Sequence, residues 1–191
     1  ARSVGAQSAL GRRRPTPELL RATLGYLADR VAGRLRATGQ AGRTVTVRVR
    51  FADLRSVTRA VTVPVAVCTT LVLTELACEL ARSALADHPG ERQVTLLAVS
   101  MSNLVAEPAL QLDLPLGLPG DVGRPGATGA GHRALDRSVD AIRARYGRAA
   151  VGYAAVLFSD VSGVPEEFRE LAEHQPGPER GDFPARVTQS R

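Results

Sequence analysis

Lysine is absent from this chain of 191 residues, and all 25 basic side chains are arginine. That absence excludes the phosphate-gripping lysine of a P-loop, a Schiff-base lysine and a lysine nucleophile. Tryptophan is missing too, and three Tyr and four Phe are the only aromatics, so the core has to be assembled from Val, Leu and Ala. The two cysteines, Cys68 and Cys78, stand ten apart with no CxxC, which argues against zinc and reads as two small core residues. His88, His132 and His174 are scattered, without the spacing of a triad or a metal site. No apolar run approaches the ~20 residues of a membrane span, and no secretory signal is visible. A cytoplasmic protein with no membrane partner is the expectation. The chain opens on Ala1 rather than methionine, which fits a fragment or a product cut from something longer.

What is present is unevenly distributed. Residues 1–60 hold 13 arginines against Glu18, Asp29 and Asp53, a net of +10, whereas residues 61–191 hold 12 arginines against 16 acids, a net of −4. A polyanion partner for the first part is the physical reading of that asymmetry. A hydrophobic share of 44% suffices for a packed core.

Residues 2–10 read as a short strand, followed by a basic loop at Arg12, Arg13 and Arg14. Thr16 suits a helix cap and Pro17 a first turn, after which Leu20, Leu24, Leu27, Val31 and Leu35 form one helical face that ends near Gly39. Residues 43–51 alternate strictly: Val45, Val47, Val49 and Phe51 point one way, Thr44, Thr46, Arg48 and Arg50 the other. A turn at 52–55 leads to a second strand at 56–65, with Val57, Val61 and Val63 inward and Ser56, Thr58 and Thr62 outward; Arg59 breaks that alternation. A helix over about 70–87 buries Leu73, Leu76, Ala77, Leu80 and Ala84, and residues 92–103 read as a central, more apolar strand.

The fold class that follows is α+β: a β-α-β-β-α-β two-layer sandwich, with both helices on one face of a four-stranded sheet and the other face open. Beyond residue 108 the character changes. Residues 109–131 hold the apolar stretch QLDLPL and a Gly- and Pro-rich linker. Residues 132–174 form a helical extension, with a helix at 133–146 buried through Leu135, Val139, Ile142 and Tyr146 and a second short helix at 149–158; residues 175–191 read as a disordered tail. Asp136 and Asp140, like Glu166 and Glu167, read as helix-surface charges.

This order of elements, with its arginine- and threonine-lined hairpin, resembles the little finger domain of Y-family translesion DNA polymerases of the DNA polymerase IV type. RSVG at 2–5, GRTVTVRVRFADLRSVTRAVTV at 42–63 and VTLLAVSMSNL at 94–104 are similar to the opening, paired central and closing strands of that domain. QLDLPL is similar to the peptide by which such polymerases hold the sliding clamp, although Pro115-Leu116 stands where the family usually has phenylalanine. The stretch at 133–151 resembles a C-terminal extension in actinobacterial members.

The resemblance implies two interaction sites. Duplex DNA of a primer-template would be held by its backbone, independent of sequence, through Ser3, Arg48, Arg50, Ser56, Thr58 and Arg59. The clamp would be held by Gln111, Leu112, Asp113, Leu114, Pro115 and Leu116. Nucleotidyl transfer in the family uses Mg²⁺ held by carboxylates of a palm domain. Nothing in this chain resembles that palm motif, so no cofactor is expected here and no activity from this chain alone; the palm, fingers and thumb would be its polymerase partners. Two other readings stand beside this one: a free-standing, non-catalytic protein that binds DNA and the clamp, and an RNA-binding αβ sandwich, which would stack bases on sheet aromatics.

Overall fold

The computed structural model describes residues 2–106 and 125–153. The elements are β1 (Ser3–Arg13), α1 (Pro17–Ala37), β2 (Gln40–Phe51), β3 (Ser56–Val67), α2 (Thr70–Ala86), β4 (Val94–Ala106), α3 (Pro125–Tyr146) and a 3-10 turn at Arg148–Ala150. The first six appear in the expected β-α-β-β-α-β order. Their sheet runs β1-β4-β2-β3 with every neighbouring pair antiparallel, so β4, the most apolar strand, is central.

Local chemistry explains the boundaries. At the start of α1 the Thr16 hydroxyl accepts from the Leu19 N–H at 3.2 Å, Pro17 needs no donor there, and Glu18 faces the positive end of the helix dipole. At its end Arg34 and Arg36 oppose the negative end, and Gly39, at φ 60°, turns the chain into β2 in a conformation that costs other residues. The β2–β3 hairpin closes through the Phe51 N–H donating to the Arg55 carbonyl at 2.9 Å, with the Asp53 carboxylate accepting from the Arg55 N–H at 3.0 Å.

The core lies between the sheet and the two helices. Leu24, Leu27, Val31 and Leu35 of α1 and Leu73, Ala77, Ala81 and Ala84 of α2 are wholly buried against Val45, Val47, Val49, Phe51, Leu97, Val99 and Met101. Gly42 is one position where a side chain would not fit: a Cβ there would lie 2.1 Å from Met101 Cγ. Cys68 is buried and Cys78 half-buried, neither is in a disulfide, and burial raises the Cys78 pKa. Among the described residues no helix is long and apolar enough to cross a membrane.

Three expectations for the C-terminal extension need correction. The helix begins at Pro125, inside the stretch expected to be linker, because proline is at home in a helical first turn. The second helix expected at 149–158 is a single 3-10 turn, after which Val151 is extended; residues 154–158 lie outside the described residues. Finally, of the stripe Leu135, Val139, Ile142 and Tyr146 only Val139 is buried. The face that packs down is instead the polar one carrying Asp136, Asp140 and Arg143, for reasons given below.

Candidate nucleic-acid interface

Strand parity and register place side chains in rows across the uncovered face of the sheet. Because β1 pairs with β4, β4 with β2 and β2 with β3, the rows read Ser3–Ser102–Thr44–Thr62, Gly5–Ser100–Thr46–Ala60, Gln7–Ala98–Arg48–Thr58 and Ala9–Leu96–Arg50–Ser56. None of these residues is acidic and none is aromatic. Most are small, so the sheet backbone lies close to whatever settles on it.

The two ends of this face differ. At one end hydroxyls bond to each other: Thr44 and Thr62 are 2.9 Å apart, and the Asn103 amide donates to the Thr44 hydroxyl at 2.8 Å. At the other end lie the guanidinium groups. Arg48 donates to the Ser56 hydroxyl at 3.3 Å, and Arg50 to the Thr95 hydroxyl at 3.3 Å. Thr95 sits in a bulge of β4 opposite Arg50 and Phe51, where its own hydroxyl donates to their carbonyls. No carboxylate among the described residues pairs with Arg48 or Arg50, so their charge stays available to a ligand. The nearby acids are engaged elsewhere: Arg55 of the hairpin turn bridges Asp53 and Glu91, and its hydrogen bond draws the Asp53 carboxyl below its usual range. Exposed Arg12 and Arg13, at the end of β1 rather than in the expected loop, and Arg14 just beyond it lie at the same end of the sheet.

Of the residues expected to contact DNA, Ser3, Arg48, Arg50, Ser56 and Thr58 share this face. Ser3 stands at the hydroxyl end, about 20 Å along the strands from Arg50 at ~3.4 Å per residue. Arg59 does not share it. It is register-paired with buried Val47, so it points to the helix side of an edge strand, where it pairs with Asp87 just beyond α2 at 2.6 Å. Its place in the expected set is corrected accordingly. Gln7, Ser100 and Ser102 were missed by the sequence reading; only strand register reveals them. Gln111–Leu116 lie outside the described residues. Among the described residues, no group of three or more His, Cys, Asp or Glu could hold a metal ion.

A second polar constellation lies on the helix layer, where α3 is fastened to the domain. Arg36 near the end of α1 makes a two-pronged pair with Asp140, at 2.6 Å and 2.9 Å, and also reaches the Cys68 carbonyl at 3.0 Å, the Thr70 hydroxyl at 3.2 Å and Asp136 at 3.3 Å. Asp136 is 1% exposed, and its carboxylate accepts from the Thr70 N–H at 3.0 Å and from the Tyr153 hydroxyl. This corrects the reading of Asp136 and Asp140 as surface charges. The physical reason is a vacancy at the start of α2: Thr69 stands at the cap position but its side chain makes no capping bond. Asp136 supplies the missing acceptor, a negative charge at a helix N-terminus.

Further pairs complete the fastening. Arg143 donates to both oxygens of Asp29 on α1, at 2.8 Å and 2.9 Å, and to the Val151 carbonyl at 3.0 Å. Burial opposes the Arg36 charge, but Asp140 and Asp136 outweigh it and raise its pKa. Burial, then the bond to Asp136, push the Tyr153 phenol well above its usual range, so it remains a donor.

With sheet, helices and both polar faces in place, the comparisons define the class. Residues 1–114 match the impB/mucB/samB family C-terminal domain, and the chain belongs to that family. It is 51% identical over 176 residues, 92% of its length, to DNA polymerase IV 2 of Mesorhizobium japonicum, and 30% identical over 167 residues, 85% of its length, to DNA polymerase IV of Desulfatibacillum aliphaticivorans. It spans 42% and 38% of those two relatives. Among solved structures it is similar to the little finger domain of PolIV in a complex with the beta-clamp processivity factor, at 18% identity and a TM-score of 0.43, over 61% of this chain and 99% of that one. The family match and the DNA polymerase IV relatives bear out the resemblance to the C-terminal domain of a DNA polymerase IV that the sequence suggested.

Proposed function

We propose that the open face of the sheet lies along the backbone of duplex DNA and holds it without reading its bases, as the little finger of a translesion polymerase. The observation that carries this reading is a face with Arg48 and Arg50 side by side, hydroxyls around them and no carboxylate upon it. The two arginines stand about 6.8 Å apart along β2, on the scale of the step between successive phosphates. Each would give charge-assisted hydrogen bonds to phosphate oxygens, with neutral bonds from Ser56, Thr58 and Gln7 beside them. The family's two-metal chemistry belongs to the palm, fingers and thumb portion of the polymerase; this domain's share is to keep the primer-template in place. By the same resemblance, Gln111–Leu116 would tether the assembly to the sliding clamp.

The absence of an aromatic from the face disfavours the RNA-binding alternative: Phe51, on a central strand, is wholly buried on the other side. Duplex binding across a salt series, with and without sliding clamp, tests the proposal. About 4–6 phosphate contacts give a slope of log K against log salt of about −3.6 to −5.4. Arg48→Ala with Arg50→Ala should weaken binding and flatten that slope by about 1.8, at ~0.9 per contact. An unchanged slope would remove these two residues from the interface.

A further inference from the structure

Where β4 passes the end of β2 the register slips, from Arg50 opposite Leu96 to Phe51 opposite Val94, and Thr95 is the extra residue between. A bulge of this kind turns a side chain out of the regular alternation. Here it turns the Thr95 hydroxyl onto β2, 3.2 Å from the Arg50 carbonyl and 3.0 Å from the Phe51 carbonyl. A hydroxyl has one proton, and both of these partners are acceptors, so that proton is committed to the backbone. What remains on the oxygen is lone-pair density, and the Arg50 Nε–H meets it at 3.3 Å. A guanidinium cannot accept a hydrogen bond, which fixes the direction of this one. The β2 backbone thus orients the hydroxyl, and the hydroxyl orients a guanidinium carried by the same strand.

Which nitrogen is held decides what the arginine can offer. Arg50 is half-buried and bonded through Nε, and among the described residues neither of its terminal nitrogens has a partner. Arg48 is the reverse case: it is exposed, and a terminal nitrogen, Nη2, bonds to Ser56. A phosphate met end-on by Nη1 and Nη2 of Arg50 receives two parallel bonds while the bond to Thr95 stays in place. Arg48 has to give up or share its bond to do the same. We propose that Thr95 is a positioning residue for phosphate binding, holding Arg50 so that both terminal nitrogens are presented to one phosphate of the duplex. This rests on the reading that the open face holds DNA. A long side chain that is ordered only on binding lowers affinity by about two- to tenfold, and that is the loss Thr95 spares.

The test is equilibrium binding of a fluorescein-labelled duplex of arbitrary sequence to the full chain, across a salt series, in a double-mutant cycle of Thr95→Val and Arg50→Ala. Thr95→Val keeps the branched shape and removes the hydroxyl. It should weaken binding by about two- to tenfold and leave the salt slope unchanged, because Arg50 still reaches its phosphate. Arg50→Ala should flatten the slope by about 0.9. In the Arg50→Ala background Thr95→Val should cost nothing further, whereas a general loosening of the sheet would weaken binding in both backgrounds. Thr95→Ser, which keeps the hydroxyl, should bind as the native chain does. Without DNA, the Arg50 Nε–H signal should exchange with water faster in Thr95→Val and at the native rate in Thr95→Ser. An equal loss from Thr95→Val in both backgrounds, native affinity in Thr95→Val beside a weakened Arg50→Ala, or weakened binding in Thr95→Ser would each overturn the role of Thr95 alone. Native affinity and slope in Arg50→Ala would overturn it together with the reading of the face.

Discussion

Replacing Asp136 by alanine is the sharpest probe of how the C-terminal helix is joined to the domain. Three donors converge on this one carboxylate: the Thr70 N–H at 3.0 Å, the Arg36 guanidinium at 3.3 Å and the Tyr153 hydroxyl. Arg36 keeps its two-pronged bond to Asp140, so its charge is not stranded, but the first peptide N–H of α2 and the phenol lose their acceptors. Leaving a buried donor unsatisfied costs about 1–3 kcal/mol, and breaking a buried ion pair costs ~3–5 kcal/mol. Water can enter if α3 lifts, which limits the loss, so about 3 kcal/mol is expected. Asparagine keeps an acceptor for Thr70 and the shape of the site but not the charge, and should cost about half as much, ~1–2 kcal/mol.

Urea unfolding followed by circular dichroism measures the loss, and amide exchange locates it. The Thr70 amide should exchange about 100-fold faster in the alanine variant if local opening takes the whole 3 kcal/mol, at tenfold per ~1.4 kcal/mol. A change in stability below ~0.5 kcal/mol, the range of an ordinary surface substitution, together with unaltered exchange at Thr70, would refute the idea that α3 caps α2.

Other expectations follow from single contacts. Since folding raises the Tyr153 pKa, the stability it contributes is complete below the unfolded value of about 10 and is lost as pH rises through the folded value. Thermal unfolding midpoints should therefore fall more steeply above pH ~10 in the native chain than in Tyr153→Phe, and parallel curves would contradict this. Arg59→Ala should leave duplex binding nearly unchanged and reduce stability by no more than about 1 kcal/mol, because the Asp87 pair is partly exposed; equilibrium binding and urea curves measure both. Gly42→Ala should destabilise by about 1–3 kcal/mol, since the new methyl group collides with buried Met101 and overpacks the sheet. A urea midpoint equal to the native one would show that Met101 moves freely.

How much of this was legible beforehand can be traced residue by residue. The alternation of Val45, Val47, Val49 and Phe51 with Thr44, Thr46, Arg48 and Arg50 announced a strand with one wet face, and the structure places each of those valines and Phe51 in the core. The α1 stripe was equally plain, because local periodicity and burial agree there. Arg59 was misplaced although its parity matches Val57, Val61 and Val63; its charge outweighed the alternation that would have set it inward.

In α3 the error ran the other way. The apolar residues Leu135, Ile142 and Tyr146 suggested the buried side, but the partners that decide the docking, Thr70 and Arg36, lie 66 and 104 residues away from the acids they meet. No local pattern announces that the start of α2 lacks a side-chain cap. The i, i+4 spacing of Asp136 and Asp140 was the one available signal, and it is shared by many solvent-facing helix surfaces.

The central claim is that DNA settles on the uncovered side of the sheet. Its most direct test is to titrate duplex DNA into the isotopically labelled chain and follow the arginine Nε–H signals by NMR. Arg48 and Arg50 should shift and broaden early in the titration, while Arg36 and Arg143, locked into their carboxylates on the helix layer, stay in place. Shifts confined to arginines of the helices, with Arg48 and Arg50 unmoved, would contradict it.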